Sequence, residues 1–84
     1  VIPPAVTRLA EYDKLNNTQY LETLDSLLGN NLNLSKTAKQ LFIHYKTMLH
    51  RMDRICEIAE ISLDDRQTRL DVELGVKLYM MLPK

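Results

Sequence analysis

The chain has 84 residues, no formal net charge, and 45% apolar against 26% charged residues, the profile of one ordinary globule built on one core. That length excludes two domains, and a chain that buries only about two thirds of its unfolded surface has little room for a catalytic pocket with its supporting shell, so no enzyme is expected. The single cysteine, Cys56, cannot close an intrachain disulfide, and no apolar run approaches the roughly 18–20 residues of a membrane span, so the expectation is a cytoplasmic protein without a membrane partner.

The opening, Val1-Ile2-Pro3-Pro4, lacks the basic end and long apolar stretch of a signal peptide and reads as the cut edge of a longer chain. A first helix is expected from about Pro4, tolerated in a first turn, to Asp13. Asn17 or Thr18 can cap a second helix, with Leu21, Leu24, Leu27 and Leu28 on its apolar stripe and Gly29 as the left-handed residue that ends it. Residues 30–33 read as a turn, and Asn33 or Ser35 as the cap of a short third helix to about Leu41. Phe42, Ile43 and His44 form a tight connection to a fourth helix over about 45–58. After a polar break at 62–65, Asp64 or Asp65 can cap a long final helix that ends before Pro83. Its residues Leu70, Leu74, Leu78 and Met81 are expected to face the core. Val72, Val76, Tyr79 and Met80 then form a second stripe for another chain or an upstream domain, ahead of the alternative that in so small a domain it wraps between the first two helices. The class is all-α, a five-helix bundle.

The segment 33–58 has the outline of a helix-turn-helix: a short helix, a connection of about three residues, then a longer helix. Close crossing of the pair needs a small inner residue, which Ala38 supplies, and Leu41, Ile43, Met48, Met52 and Ile55 form the shared core. The outer face keeps Tyr45, Lys46, His50, Arg51, Asp53 and Arg54. Residues 35–54 hold five basic side chains against Asp53 alone, a net +4 that leaves −4 on the remainder. A neutral chain polarised in this way can present a basic edge to phosphates.

The run Leu21-Glu22-Thr23-Leu24, then Asn33, Ala38 and Leu41, and the string from Ile43 to Met52 (IHYKTMLHRM) resemble the C-terminal helix-turn-helix of the PucR and CdaR (purine-catabolism and sugar-diacid) regulators, whose pattern runs "LLETL", "N…AA..L", "VHRNTLRYRL". Ile55, the Leu63-Asp64-Asp65 turn and Arg69-Leu70 fit the same pattern. Tyr45 and Leu49 stand where that pattern has arginine, Lys46 where it has asparagine, and His50 where it has tyrosine. The resemblance implies a Fis-like DNA-binding domain, residues 1–84, with no cofactor, at the C-terminus of a bacterial transcription regulator. Its partners would be double-stranded DNA, an upstream sensory domain of the same chain and a second copy. By position His44, Tyr45, Lys46, Thr47, His50 and Arg51 match the major-groove segment.

Lys36 and Lys39 on the first helix of the motif, with Arg54, are expected on phosphates, and Tyr45, Lys46, Thr47 and His50 near base edges. His44 reads as a cap or packing residue of the turn ahead of a base reader. Six residues separate it from His50, which places the two on different faces and leaves no metal site. Cys56 reads as a small apolar filler. The rival reading is a protein-interaction or dimerisation module that retains the architecture without binding DNA.

Overall fold

Apolar residues recurring at three and four, separated by short polar turns, predict five helices, and the computed structural model describes residues 2–83 as that many: α1 (Pro4–Asn16), α2 (Tyr20–Gly29), α3 (Leu34–Gln40), α4 (Tyr45–Ala59) and α5 (Arg66–Met80). There is no strand among the described residues; Val1, part of the opening run above, and Lys84 lie outside them.

The helix ends show which local signals decide. α1 starts at Pro4 as expected, but runs three residues past Asp13, because nothing breaks it before Asn17 adopts the left-handed conformation at φ 54°. α2 is not capped by Asn17 or Thr18. Its cap position is Gln19, which makes no side-chain cap bond, and the Asp13 carboxylate instead accepts from the Tyr20 and Leu21 amides at 3.0 and 2.9 Å and from the Thr18 hydroxyl. Gly29 is helical and does not reverse the chain; Asn31 (φ 53°) and Leu32 (φ 65°) do. Leu32 tolerates that conformation because its side chain packs on the core and its amide bonds the Leu27 carbonyl at 2.9 Å. Asn33 caps α3, its side chain accepting from the Lys36 amide at 3.0 Å. Asp65 caps α5 through the Thr68 amide and hydroxyl, and those bonds hold its carboxyl below the usual aspartate range.

α2 touches each of the other four helices, and its stripe Leu21, Leu24, Leu27 and Leu28 is buried. α5 packs on α1 and α2 but touches neither α3 nor α4, so α1 and α2 separate the last helix from the helix-turn-helix pair. The expected orientation of α5 is largely reversed, although Leu78 of the first stripe is half-buried and Met80 of the second is exposed. Val72 and Val76 are buried at 2% and 0% exposure, Tyr79 packs partly against the core, and Leu70, Leu74 and Met81 face out at 51%, 62% and 79%. The cause is distance: a Cβ added at Gly75 would lie 2.5 Å from the Pro3 ring and 3.1 Å from Val6, so only the narrow face made by Val72, Gly75 and Val76 fits against α1. No described helix is long and apolar enough to cross a membrane.

Candidate nucleic-acid interface

The position of α3 is set by four side chains, those of Asn30, Thr37, Ala38 and Gln40. Ala38 and Thr37 are both buried, the first where α3 meets its neighbours and the second in a polar relay. The Thr37 hydroxyl donates to the Asn33 carbonyl at 2.8 Å and accepts from the Asn30 amide at 3.1 Å, and the same amide group donates to Gln40 at 2.8 Å. These bonds tie the turn after α2 to both ends of α3. They went unread in the sequence, where the only signal was the i, i+4 spacing of Asn33 and Thr37.

The connection to α4 is closed by the Phe42 and Ile43 amides, which donate to the Lys39 and Ala38 carbonyls at 3.2 and 3.0 Å. It places Phe42 at φ 57° with 94% of its surface exposed. His44 occupies the cap position of α4 as expected, but its side chain makes no cap bond, which leaves the first-turn amides of α4 without a side-chain acceptor. α4 buries Met48, Ile55 and Ala59, and Leu41, Ile43 and Met52 pack partly on the same core.

Lys36, Lys39, His44, Tyr45, Lys46, Thr47 and His50 are all exposed. Along α4, Lys46, His50, Asp53 and Glu57 recur at i, i+4, i+7 and i+11, so they line one exposed face. Its first two turns are basic and its last two acidic. Asp53, which the sequence reading left without a role, marks the change of sign.

Arg51 and Arg54 do not join this face. Both are half-buried on the flank of α4 that meets α1 and α2. Arg51 reaches the Thr23 hydroxyl of α2 at 3.4 Å. Arg54 donates to the Tyr12 hydroxyl of α1 at 3.1 Å and to Glu57 at 3.3 Å, and its guanidinium lies 5.7 Å from the centre of the Tyr12 ring. The Tyr12 bond, then Glu57, raises the Arg54 pKa above its ordinary value. Arg8 of α1 holds the far end of α4, donating to the Ala59 carbonyl at 2.6 Å and approaching Glu60 at 3.7 Å, so a cation sits at the negative end of the helix dipole. Cys56 is half-buried, and burial raises its thiol pKa, as expected of a packing residue.

A short helix carrying two exposed lysines, a four-residue connection and a fifteen-residue helix with a basic first half is the geometry of a helix-turn-helix. The model of the PucR C-terminal helix-turn-helix domain matches residues 20–78, which takes in α2, α3, α4 and most of α5. The chain belongs to this family. Over 77 residues this PucR-type domain is 31% identical to the DNA-binding transcriptional activator AdeR of Bacillus subtilis (strain 168), a match covering 92% of the chain and 18% of that protein. It is 38% identical over 66 residues to the proline-responsive transcriptional activator PutR of the same organism, covering 79% of the chain and 16% of PutR. It is 29% identical over 62 residues to the Bacillus subtilis purine catabolism regulatory protein, covering 74% and 12%. The PucR-type chain thus spans less than a fifth of the length of these relatives. No solved structure matches it significantly. The fold and the family are thus those of a helix-turn-helix domain of the PucR type.

Proposed function

We propose that residues 1–84 form the sequence-specific, double-stranded DNA-binding domain at the C-terminus of a bacterial transcription regulator, with α4 lying in the major groove. The observation that carries this reading is the free basic surface of the motif: Lys36, Lys39 and Lys46 are exposed and make no ion pair among the described residues, although the chain is neutral overall. In this docking mode the first helix of the motif crosses the phosphate backbone and the N-terminal residues of the second meet base edges. Lys36 and Lys39 then hold phosphates, with the uncapped amides at the start of α4 next to His44 offering further donors. Tyr45, Lys46, Thr47 and His50 face the bases. Arg51 and Arg54, half-buried against Thr23 and Tyr12, set the angle of α4 on the bundle and reach phosphates only from its flank.

One such helix reads few base pairs, so two copies are inferred to act together on an operator, with an upstream sensory domain in the remainder of the chain. The test is fluorescence anisotropy of the chain with random-sequence duplex DNA between about 50 and 200 mM salt. Neutralising each phosphate contributes a slope of about −0.9 in log K against log salt, so Lys36 and Lys39 together predict roughly −2. Combining Lys36→Ala with Lys39→Ala should flatten the slope by about two contacts and leave helicity unchanged. The rival module, which binds protein and not DNA, is favoured by the exposure of Phe42, Leu49, Leu70 and Leu74. A flat salt response, or no binding at low salt, would establish it in place of the DNA reading.

A further inference from the structure

Two rows of side chains run side by side along the first two turns of α4. One, Lys46 and His50, offers hydrogen bonds; the other, Tyr45 and Leu49, is apolar, with 47% and 38% of the two residues exposed. Each row has i, i+4 spacing and so climbs about 6 Å, which is close to two base-pair steps. A leucine beside a basic reading row is not needed for the core: Met48, Ile55 and Ala59 are the buried residues of α4, and Met52 fills the space between. Nor does the Leu49 side chain gain anything from water. In a major groove it has one apolar feature to meet, because among the base edges exposed there only thymine carries a methyl group, at C5.

We propose that Leu49, with the Tyr45 ring beside it, is a specificity-determining contact for thymine C5-methyl groups, so that the preferred operator carries a thymine within about two base pairs of the guanine that Lys46 would engage through O6 and N7. This rests on the DNA-binding reading above. It commits the apolar row to the same occupant as the basic row, because the two are continuous on one exposed surface and none of the described helices covers either. The position of Asp53 one turn further fits the same geometry. It ends the attractive part of this face of α4, which is confined to the first two turns.

Preferred duplexes are selected from a random pool with the 84-residue chain, and each thymine is then replaced singly by deoxyuridine, which removes the methyl and keeps every hydrogen-bonding group. Losing one buried methyl contact should weaken binding by about fourfold at one or two positions in each half-site. The same replacements should have no effect on Leu49→Ala or, as a second variant that keeps the side chain's length, Leu49→Gln. Circular dichroism should show both variants folded, because Leu49 is already partly exposed. Deoxyuridine tolerated everywhere by the unmodified chain overturns the assignment while leaving the DNA reading intact. A methyl effect that persists in both variants transfers the contact to another residue and also overturns it. Failure to bind any duplex, with a flat salt response, is the distinct outcome in which the DNA reading itself falls.

Discussion

Phe42 holds a left-handed backbone with its ring in solvent, at φ 57° and 94% exposure. For a residue with a Cβ that conformation costs about 1–2 kcal/mol, and here no packing offsets it. What holds it is the pair of backbone bonds that close the turn, from Phe42 to Lys39 and from Ile43 to Ala38. Phe42→Gly removes the steric cost but enlarges the unfolded ensemble, which takes back about 0.4–1 kcal/mol. The expected net gain is up to about 1 kcal/mol, read as a melting temperature several degrees higher by circular dichroism. DNA affinity should not change, since both reading rows begin at Tyr45. A lower melting temperature would mean that the ring is held by contacts absent from the structure. At this scale the site was partly legible. The exposed residues Lys36, Lys39, Tyr45, Lys46 and His50 follow from helical periodicity, whereas Arg51 and Arg54 sit at flank positions whose direction is decided by Thr23 and Tyr12, on helices far away in sequence.

At the scale of elements, α1 and α2 are joined by one carboxylate. Asp13, in the last turn of α1, accepts from the first two amides of α2, a role that Asn17 and Thr18 were expected to fill. Local capping rules look one to three residues ahead of a helix, and Asp13 lies seven before Tyr20, so no local reading could find it. Asp13→Ala should destabilise the chain by about 1–2 kcal/mol in urea denaturation. Amide exchange should accelerate first at Tyr20 and Leu21, and Asp13→Asn, which keeps an acceptor oxygen, should recover part of the loss. Equal stability of Asp13→Ala and the unmodified chain would mean that α2 is held by packing of its leucine stripe alone. α3 and α5 were capped where the sequence placed candidates, at Asn33 and Asp65, because there the acceptor precedes its own helix. The orientation of α5 was not legible, since both of its stripes obey the same period and the choice between them depends on how closely Pro3 and Val6 approach Gly75.

For the whole molecule, that reversed orientation separates two surfaces. The residues proposed to face DNA lie on α3 and α4, and the outward apolar stripe Leu70, Leu74 and Met81 lies on α5, which touches neither of them. Lys77, beside the stripe, is turned away to Asp25 of α2 at 2.9 Å, so no cation interrupts the two leucines. Any contact made through α5 can therefore be removed without disturbing the reading helix. Leu70→Lys with Leu74→Lys should leave the fold intact, because both positions are already more than half exposed. The affinity of one copy for a single half-site should also hold, or rise slightly with the added positive charge. Association between copies, followed by sedimentation at several protein concentrations, should weaken in the double variant if α5 is the pairing surface, and with it the cooperative occupation of paired half-sites. Unchanged association together with unchanged half-site affinity would remove α5 from the pairing of copies. A drop in half-site affinity without loss of helicity would instead show that the two surfaces communicate through α1 and α2, the two helices that stand between them.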